Sequence, residues 1–151
     1  MDLHPFLLIF ELRRAVDVLE RMLMSRLDAA GWPRLTINQV LLFAHLEADG
    51  TTPAELARRM GMARQSMQKN LERLSDLELV TVQPHTSDRR SRLVAVTEAG
   101  ERFATETAAI LDGFERRLEA ALGTDAVNET RHVLTTDLGR LLWRPQNASG
   151  R

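Results

Sequence analysis

The sequence predicts a mainly α-helical fold with one short β-hairpin, and three observations carry that prediction. Apolar residues recur at steps of three and four over most of the chain. Two of those runs are preceded by a helix-start signal, a threonine followed three residues later by Gln or Glu. Only at Val80 and Val82, and again at Val94 and Val96, does the period shorten to two.

The first helix is expected over 5–29, where Leu8, Leu12, Ala15, Val16, Leu19, Met22, Leu23 and Leu27 form one stripe. Gly31-Trp32-Pro33 ends it, because proline has no backbone N–H to continue the ladder. Thr36 opens the second helix with Gln39 completing a capping box, and the apolar pattern runs through Val40, Leu41, Phe43, Ala44 and Leu46 to Asp49-Gly50. Thr52, Pro53 and Glu55 give the third helix an N-cap, a proline at its first position and a second capping box. Gly61 closes that helix. The fourth fills Ala63 to Asp76 with Met67, Leu71 and Leu74 facing inward. The hairpin follows, with the polar stretch 85–91 at its tip. Thr97 then caps a long fifth helix bearing Phe103, Thr107, Ile110, Phe114, Leu118 and Ala121. Gly123 stops it, Thr124 is expected to cap a sixth with Val127, Leu134, Leu138, Leu141 and Leu142 in step, and 145–151 reads as a flexible tail.

At 151 residues the chain has the size of a single domain that needs no metal or cross-link to hold its core. It contains no cysteine, which excludes disulfide scaffolds, thiolate metal sites and cysteine nucleophiles. The N-terminal apolar run at 5–10 is too short for a membrane span and lacks a basic start, so the chain reads as cytoplasmic, with no membrane partner. No Gly-rich phosphate loop, nucleophile elbow or His-Glu metal box is present, and no two histidines have ligand spacing on one helix. The expectation is a protein that is not an enzyme and carries no cofactor and no metal.

Charge is distributed unevenly. The whole chain carries a formal −1, yet residues 58–92 hold eight basic groups (Arg58, Arg59, Arg64, Lys69, Arg73, Arg89, Arg90 and Arg92) against four acids. A solvated basic face and an anionic partner would account equally well for that excess. The spacing around it is more informative. Ala57 is small enough for two helices to cross closely, Gly61 accepts a left-handed backbone in the turn, and Leu56, Met60, Met62 and Met67 can seal the core between them. That pattern matches a helix-turn-helix; a buried helical corner of no function could share it, but the basic hairpin immediately after it makes that reading the weaker.

Here the chain resembles the MarR (multiple antibiotic resistance regulator) family of winged helix-turn-helix transcription factors. The stretch "TPAELARRMGMARQSMQKNLERLSDLELV", the wing "SDRRSRLVAVTEAG" and the long helices at both ends carry the likeness. The resemblance implies a single domain over 1–151, with a winged helix-turn-helix lobe at 35–97 and N- and C-terminal dimerisation helices at 5–30 and 100–144. It also implies double-stranded DNA as the partner. In a helix-turn-helix the second helix enters the major groove with its N-terminal residues at base edges, where arginine can pair with guanine and glutamine with adenine. By the family pattern Gln65, Ser66 and Gln68 fall where bases are read, and Arg64 and Lys69 fall near phosphates, with Arg73 a turn further on. Asp88 and Arg90 match the family's Asp-x-Arg wing pair, and Arg89 and Arg92 suit phosphate. One departure is Ala63, which stands where the family often has a capping Ser or Thr.

Two further expectations follow. The first helix is apolar on more than one side, with Phe6, Ile9, Phe10 and Val18 off its main stripe, and the sixth is similar. Intertwined packing in a homodimer would bury that surface and set two recognition helices about 34–36 Å apart over an inverted repeat, with a thicker monomer core as the alternative. Many family members, acting as repressors, release DNA when a small aromatic or phenolic effector binds, and the resemblance extends that expectation to this chain. Trp32 and His45 are the candidate ligand residues, with His132 and Trp143 conceivable, though an ordinary core or surface role would also explain each. The alternative from another class is a protein-interaction module of the same fold that does not bind DNA.

Overall fold

The computed structural model describes residues 7–84 and 92–136. Among these residues the order is α1 (Leu7–Ala29), α2 (Ile37–Leu42), α3 (Pro53–Arg59), α4 (Arg64–Asp76), β1 (Val80–Pro84), β2 (Arg92–Val96), α5 (Glu98–Leu122) and α6 (Thr124–Thr135). The mainly helical class with a two-stranded hairpin is therefore as the sequence indicates. The chain divides into two compact units, Met1–Ile110 and Leu111–Arg151, with the boundary inside α5.

In the first unit, α2 begins with the capping box its sequence specifies. Thr36 Oγ1 accepts the Gln39 N–H at 3.3 Å and Gln39 Oε1 accepts the Thr36 N–H at 2.9 Å. The helix is shorter than its apolar pattern suggests: it ends at Leu42, tightens into a 3-10 turn over Phe43–His45, and is extended by Leu46. The buried Thr51 accounts for the correction. Its hydroxyl takes the Glu47 N–H at 3.0 Å, the donor that a continued helix would need. Thr51 itself bridges Val94, exchanging backbone hydrogen bonds of 3.0 and 2.9 Å, so β2 fixes where α2 can end.

α3 is capped by Thr52 Oγ1, which accepts the Glu55 N–H at 3.2 Å. The expected second half of that capping box does not form. The Glu55 carboxylate instead takes Arg58 at 2.6 and 2.8 Å and Arg59 at 2.7 Å, because two guanidinium groups one turn away outcompete a neutral backbone amide. Gly61, at φ +61°, then closes α3 in a Schellman turn, with Gly61 N–H on the Arg58 carbonyl and Met62 N–H on the Ala57 carbonyl. Leu56 and Ala57 are buried at this corner as expected, while Met60 and Met62 are half-buried.

β1 and β2 pair antiparallel, with Val80 opposite Val96, Val82 opposite Val94 and Pro84 opposite Arg92. Val80 and Val94 enter the core, together with Leu42, Leu56, Met67, Leu71, Leu74, Leu79 and Phe103. Trp32 packs edge-on against Phe103 at 5.1 Å between ring centroids, and Phe43 tilts against the same ring at 4.9 Å. A close junction joins α4, the hairpin and α5. Thr97 Oγ1 donates to the Glu78 carbonyl at 2.6 Å and accepts the Gly100 N–H at 3.0 Å, capping α5 as the sequence indicates.

In the second unit, the end of α5 and all of α6 are tied by an Arg131–Glu115 ion pair. Phe114 is buried; Leu118 and Ala121, expected on the same inner face, are exposed. Thr124 is the first residue of α6 and not its cap. Gly123 takes that place, because its N–H closes the last turn of α5 on Glu119 while its carbonyl accepts the first α6 bond from Val127. Phe6, Leu138, Leu141, Leu142, Trp143 and the tail lie outside the described residues.

Candidate nucleic-acid interface

The apolar stripe of α4 fixes what its other side presents. Met67, Leu71 and Leu74 are buried, so Arg64, Gln65, Ser66, Gln68, Lys69 and Arg73 all face outward and are exposed. A second contact sets the rotation of the helix about its axis. Gln39, buried in α2, donates from Nε2 to Asn70 Oδ1 at 3.3 Å, and Asn70 Nδ2 reaches Met62 Sδ at 3.8 Å. One amide thus joins the α2 cap to α4. The pattern of the sequence identified the cap and missed this use of the side chain, which depends on two helices meeting.

Pairing separates the basic residues into two groups. Arg58 and Arg59 are bound to Glu55, and Arg59 also holds Glu47 at 2.5 Å and the His45 carbonyl at 3.2 Å. Hydrogen bonds from Arg58 first and Arg59 second lower the Glu55 carboxyl to about 2, so it is ionised throughout the neutral range. These two arginines act on α3 and the loop before it. By contrast, no carboxylate among the described residues pairs with Arg64, Lys69, Arg73 or Arg92. Arg92 is exposed at the tip end of the paired strands, opposite Pro84. Asp88, Arg89 and Arg90 lie outside the described residues. Among the described residues of the 58–92 segment, the cations without a carboxylate partner are therefore Arg64, Lys69 and Arg73 on α4 and Arg92 on β2.

Ala63 occupies the N-cap position with extended backbone and provides no side-chain acceptor. The first amides of α4 have no intrahelical partner either. Serine there would accept one of them. Ala63→Ser is expected to stabilise the protein by about 1 kcal/mol in thermal unfolding and to lower affinity for duplex DNA, since its hydroxyl competes with phosphate for those amides. Unchanged stability and unchanged affinity would contradict both halves.

Trp32 lines an open cleft of about 350 Å³ formed by the end of α1 and the segment after it, with Met24, Ser25, Leu27, Asp28, Pro33, Arg34 and Leu35, where Arg34 pairs with Asp28 at 3.7 Å. Its indole N–H donates to Glu106 at 2.7 Å. His45 is half-buried and is not among the residues lining that cleft, and His132 is exposed on α6. Among the described residues no cluster of His, Asp and Glu could hold a metal ion. None of the described helices is long and apolar enough to cross a membrane.

Residues 35–91 match the family model described as MarR family. The lobe is thus a MarR-type winged helix-turn-helix, and the chain has the fold of MarR regulators of known structure. The MepR–DNA complex of S. aureus superposes with a TM-score of 0.73 at 18% identity, covering 91% of this chain and 98% of that one. CouR of Rhodococcus jostii RHA1, bound to p-coumaroyl-CoA, gives 0.70 at 24% identity over 84% of this chain and 88% of its own. A MarR-family regulator from Rhodococcus sp. RHA1 gives 0.70 at 22% identity, over 84% and 90%. Among curated proteins none matches the sequence.

Proposed function

We propose that this protein is a sequence-specific, double-stranded DNA-binding transcriptional regulator that acts as a homodimeric repressor on an inverted-repeat operator. One observation carries the reading. A helix held by three buried apolar residues and a buried amide presents Arg64, Gln65, Ser66, Gln68, Lys69 and Arg73 outward together. Cations with no carboxylate partner among the described residues suit phosphate, and the glutamines between them suit base edges. By the family resemblance, Asp88, Arg89, Arg90 and Arg92 are the wing residues that contact DNA. The likeness to MepR, whose matching structure is a complex with DNA, supports the same partner.

Dimerisation rests on α1. Leu8, Ile9 and Phe10 are 69%, 67% and 68% exposed, and a run of large apolar side chains so open to water calls for a covering surface. Leu111, Leu118, Leu122, Val133 and Leu134 supply more such surface in the second unit. Sedimentation at micromolar concentration is expected to give twice the chain mass, and a stable monomer would contradict the dimer. For release, the cleft beside Trp32 has the size of a small-ligand site and largely apolar walls, with the Arg34–Asp28 ion pair at its edge, which suits a neutral phenol. A ligand acts there only if it prefers the conformation with the wrong separation of the two recognition helices.

The test of the reading is binding to a duplex from the protein's own promoter across a salt series. Affinity should fall steeply and linearly in the log–log plot, by about 0.9 in slope for each phosphate contact. No binding by the wild type at low salt would favour an interaction module that shares the fold.

A further inference from the structure

The outward stripe of α4 that carries Gln65 and Gln68 continues one turn further to Glu72, a carboxylate on the side offered to a polyanion. An acid there works against phosphate binding. Lys69 lies three residues before it and Arg73 directly after it, yet Glu72 forms no ion pair with either among the described residues. Its Oε1 instead accepts a hydrogen bond from Gln68 Nε2 at 3.0 Å.

That choice of partner has a chemical consequence. A free glutamine amide rotates broadly about its last torsion and can exchange its oxygen and nitrogen ends. With one N–H held by a carboxylate, the nitrogen end is fixed. The remaining N–H and the oxygen then form one donor and one acceptor. Adenine presents the matching pair in the major groove, an N7 acceptor and an N6 amino donor. Guanine presents two acceptors, N7 and O6, and a glutamine with one N–H already committed can no longer turn both toward them.

We propose that Glu72 is a specificity-determining residue that orients the Gln68 amide so that it prefers adenine to guanine. The proposal rests on the DNA-binding reading above and adds to it a residue that touches no base. Glu72 lowers affinity for every sequence through its charge and raises discrimination at one base pair through its hydrogen bond. Those two effects can be measured apart, because glutamine at position 72 keeps an acceptor oxygen and loses the charge.

The test uses full-length protein and two probes: the duplex recovered from a random pool by the wild type, and a random-sequence duplex. The relevant base pair is the one where Gln68→Ala loses its preference. There, Glu72→Ala should lose about fivefold or more of the adenine-over-guanine ratio, the low end of what a bidentate contact contributes. It should also bind the random duplex more tightly while melting like the wild type. Glu72→Gln should gain the same general affinity and keep the base ratio. In a Gln68→Ala background, Glu72→Ala should leave the base ratio unchanged. An unchanged ratio in Glu72→Ala, or a ratio lost equally without Gln68, overturns the proposal, the latter by making Glu72 a direct reader. A Gln68→Ala variant with unaltered base preference overturns it as well. If the wild type recovers no preferred duplex at all, the DNA-binding reading fails first and takes this proposal with it.

Discussion

Replacing Arg64, Lys69 and Arg73 together by alanine is expected to weaken duplex binding by at least about a thousandfold near 0.1 M salt. Each phosphate neutralised by a cation releases condensed counterions, which contributes about 0.9 to the slope of log affinity against log salt. A dimer loses six such contacts in this variant, so the slope should become shallower by about 5, whereas a monomer would lose about half as much. All three side chains are exposed, so the fold should survive. Arg58→Ala is the matched control. Arg58 is also basic and exposed, but its guanidinium is bound to Glu55 in α3, and its removal should leave the slope nearly unchanged. If both variants flattened the slope alike, the positive charge would be acting as a diffuse field and not as an ordered face. If neither did, α4 would not be the surface that meets phosphate.

The second large effect concerns stability. Gly100 stands in the first turn of α5, where a Cβ would lie 2.0 Å from the Leu79 carbonyl oxygen and 2.8 Å from Val96 Cγ1. Two tendencies oppose each other in Gly100→Ala. Helix propensity favours alanine by about 1 kcal/mol. The clash is with backbone, which cannot rotate away, so α5 would have to lift from the hairpin and break the Thr97 bonds to Glu78 and Gly100. Overpacking of this kind costs about 3 kcal/mol or more, against a total of only about 5–15 for a domain. The clash wins, and thermal or urea unfolding should show it as a large loss. Gly113→Ala, in the same helix with nothing within 4 Å of the added carbon, should show the propensity gain alone. A stabilised Gly100→Ala variant would mean that α5 does not approach Leu79 as closely as described.

What could be read from the sequence was set by short-range chemistry. Thr36 with Gln39, Thr52 with Pro53, and Gly61 at the left-handed turn each act within a few residues, and all are in place. The inward face of α4 followed from a three-to-four spacing that no distant contact disturbs. The departures come from groups that gain a partner only on folding. α2 ends early because Thr51, held by β2, takes the Glu47 amide. Gln39 turns from a local cap into a tie to Asn70. Gly100 belonged to a recognised wing motif, but its reason, the approach of the Leu79 carbonyl, exists only in three dimensions. Glu55 and Glu72 differ in kind. Arg58, Arg59 and Gln68 lie three or four residues from them, at helix-neighbour spacing, so both pairings were within reach of the sequence.

The most direct measurement is selection of bound sequences from a random duplex pool by the full-length protein. The expected result is an inverted repeat whose half-sites are centred about 10 base pairs apart, or a multiple of that, with base preferences that disappear when Gln65 and Gln68 are replaced by alanine. A pool that emerges unenriched, or one enriched identically by the doubly substituted protein, would contradict the assignment of α4 as the helix that reads DNA.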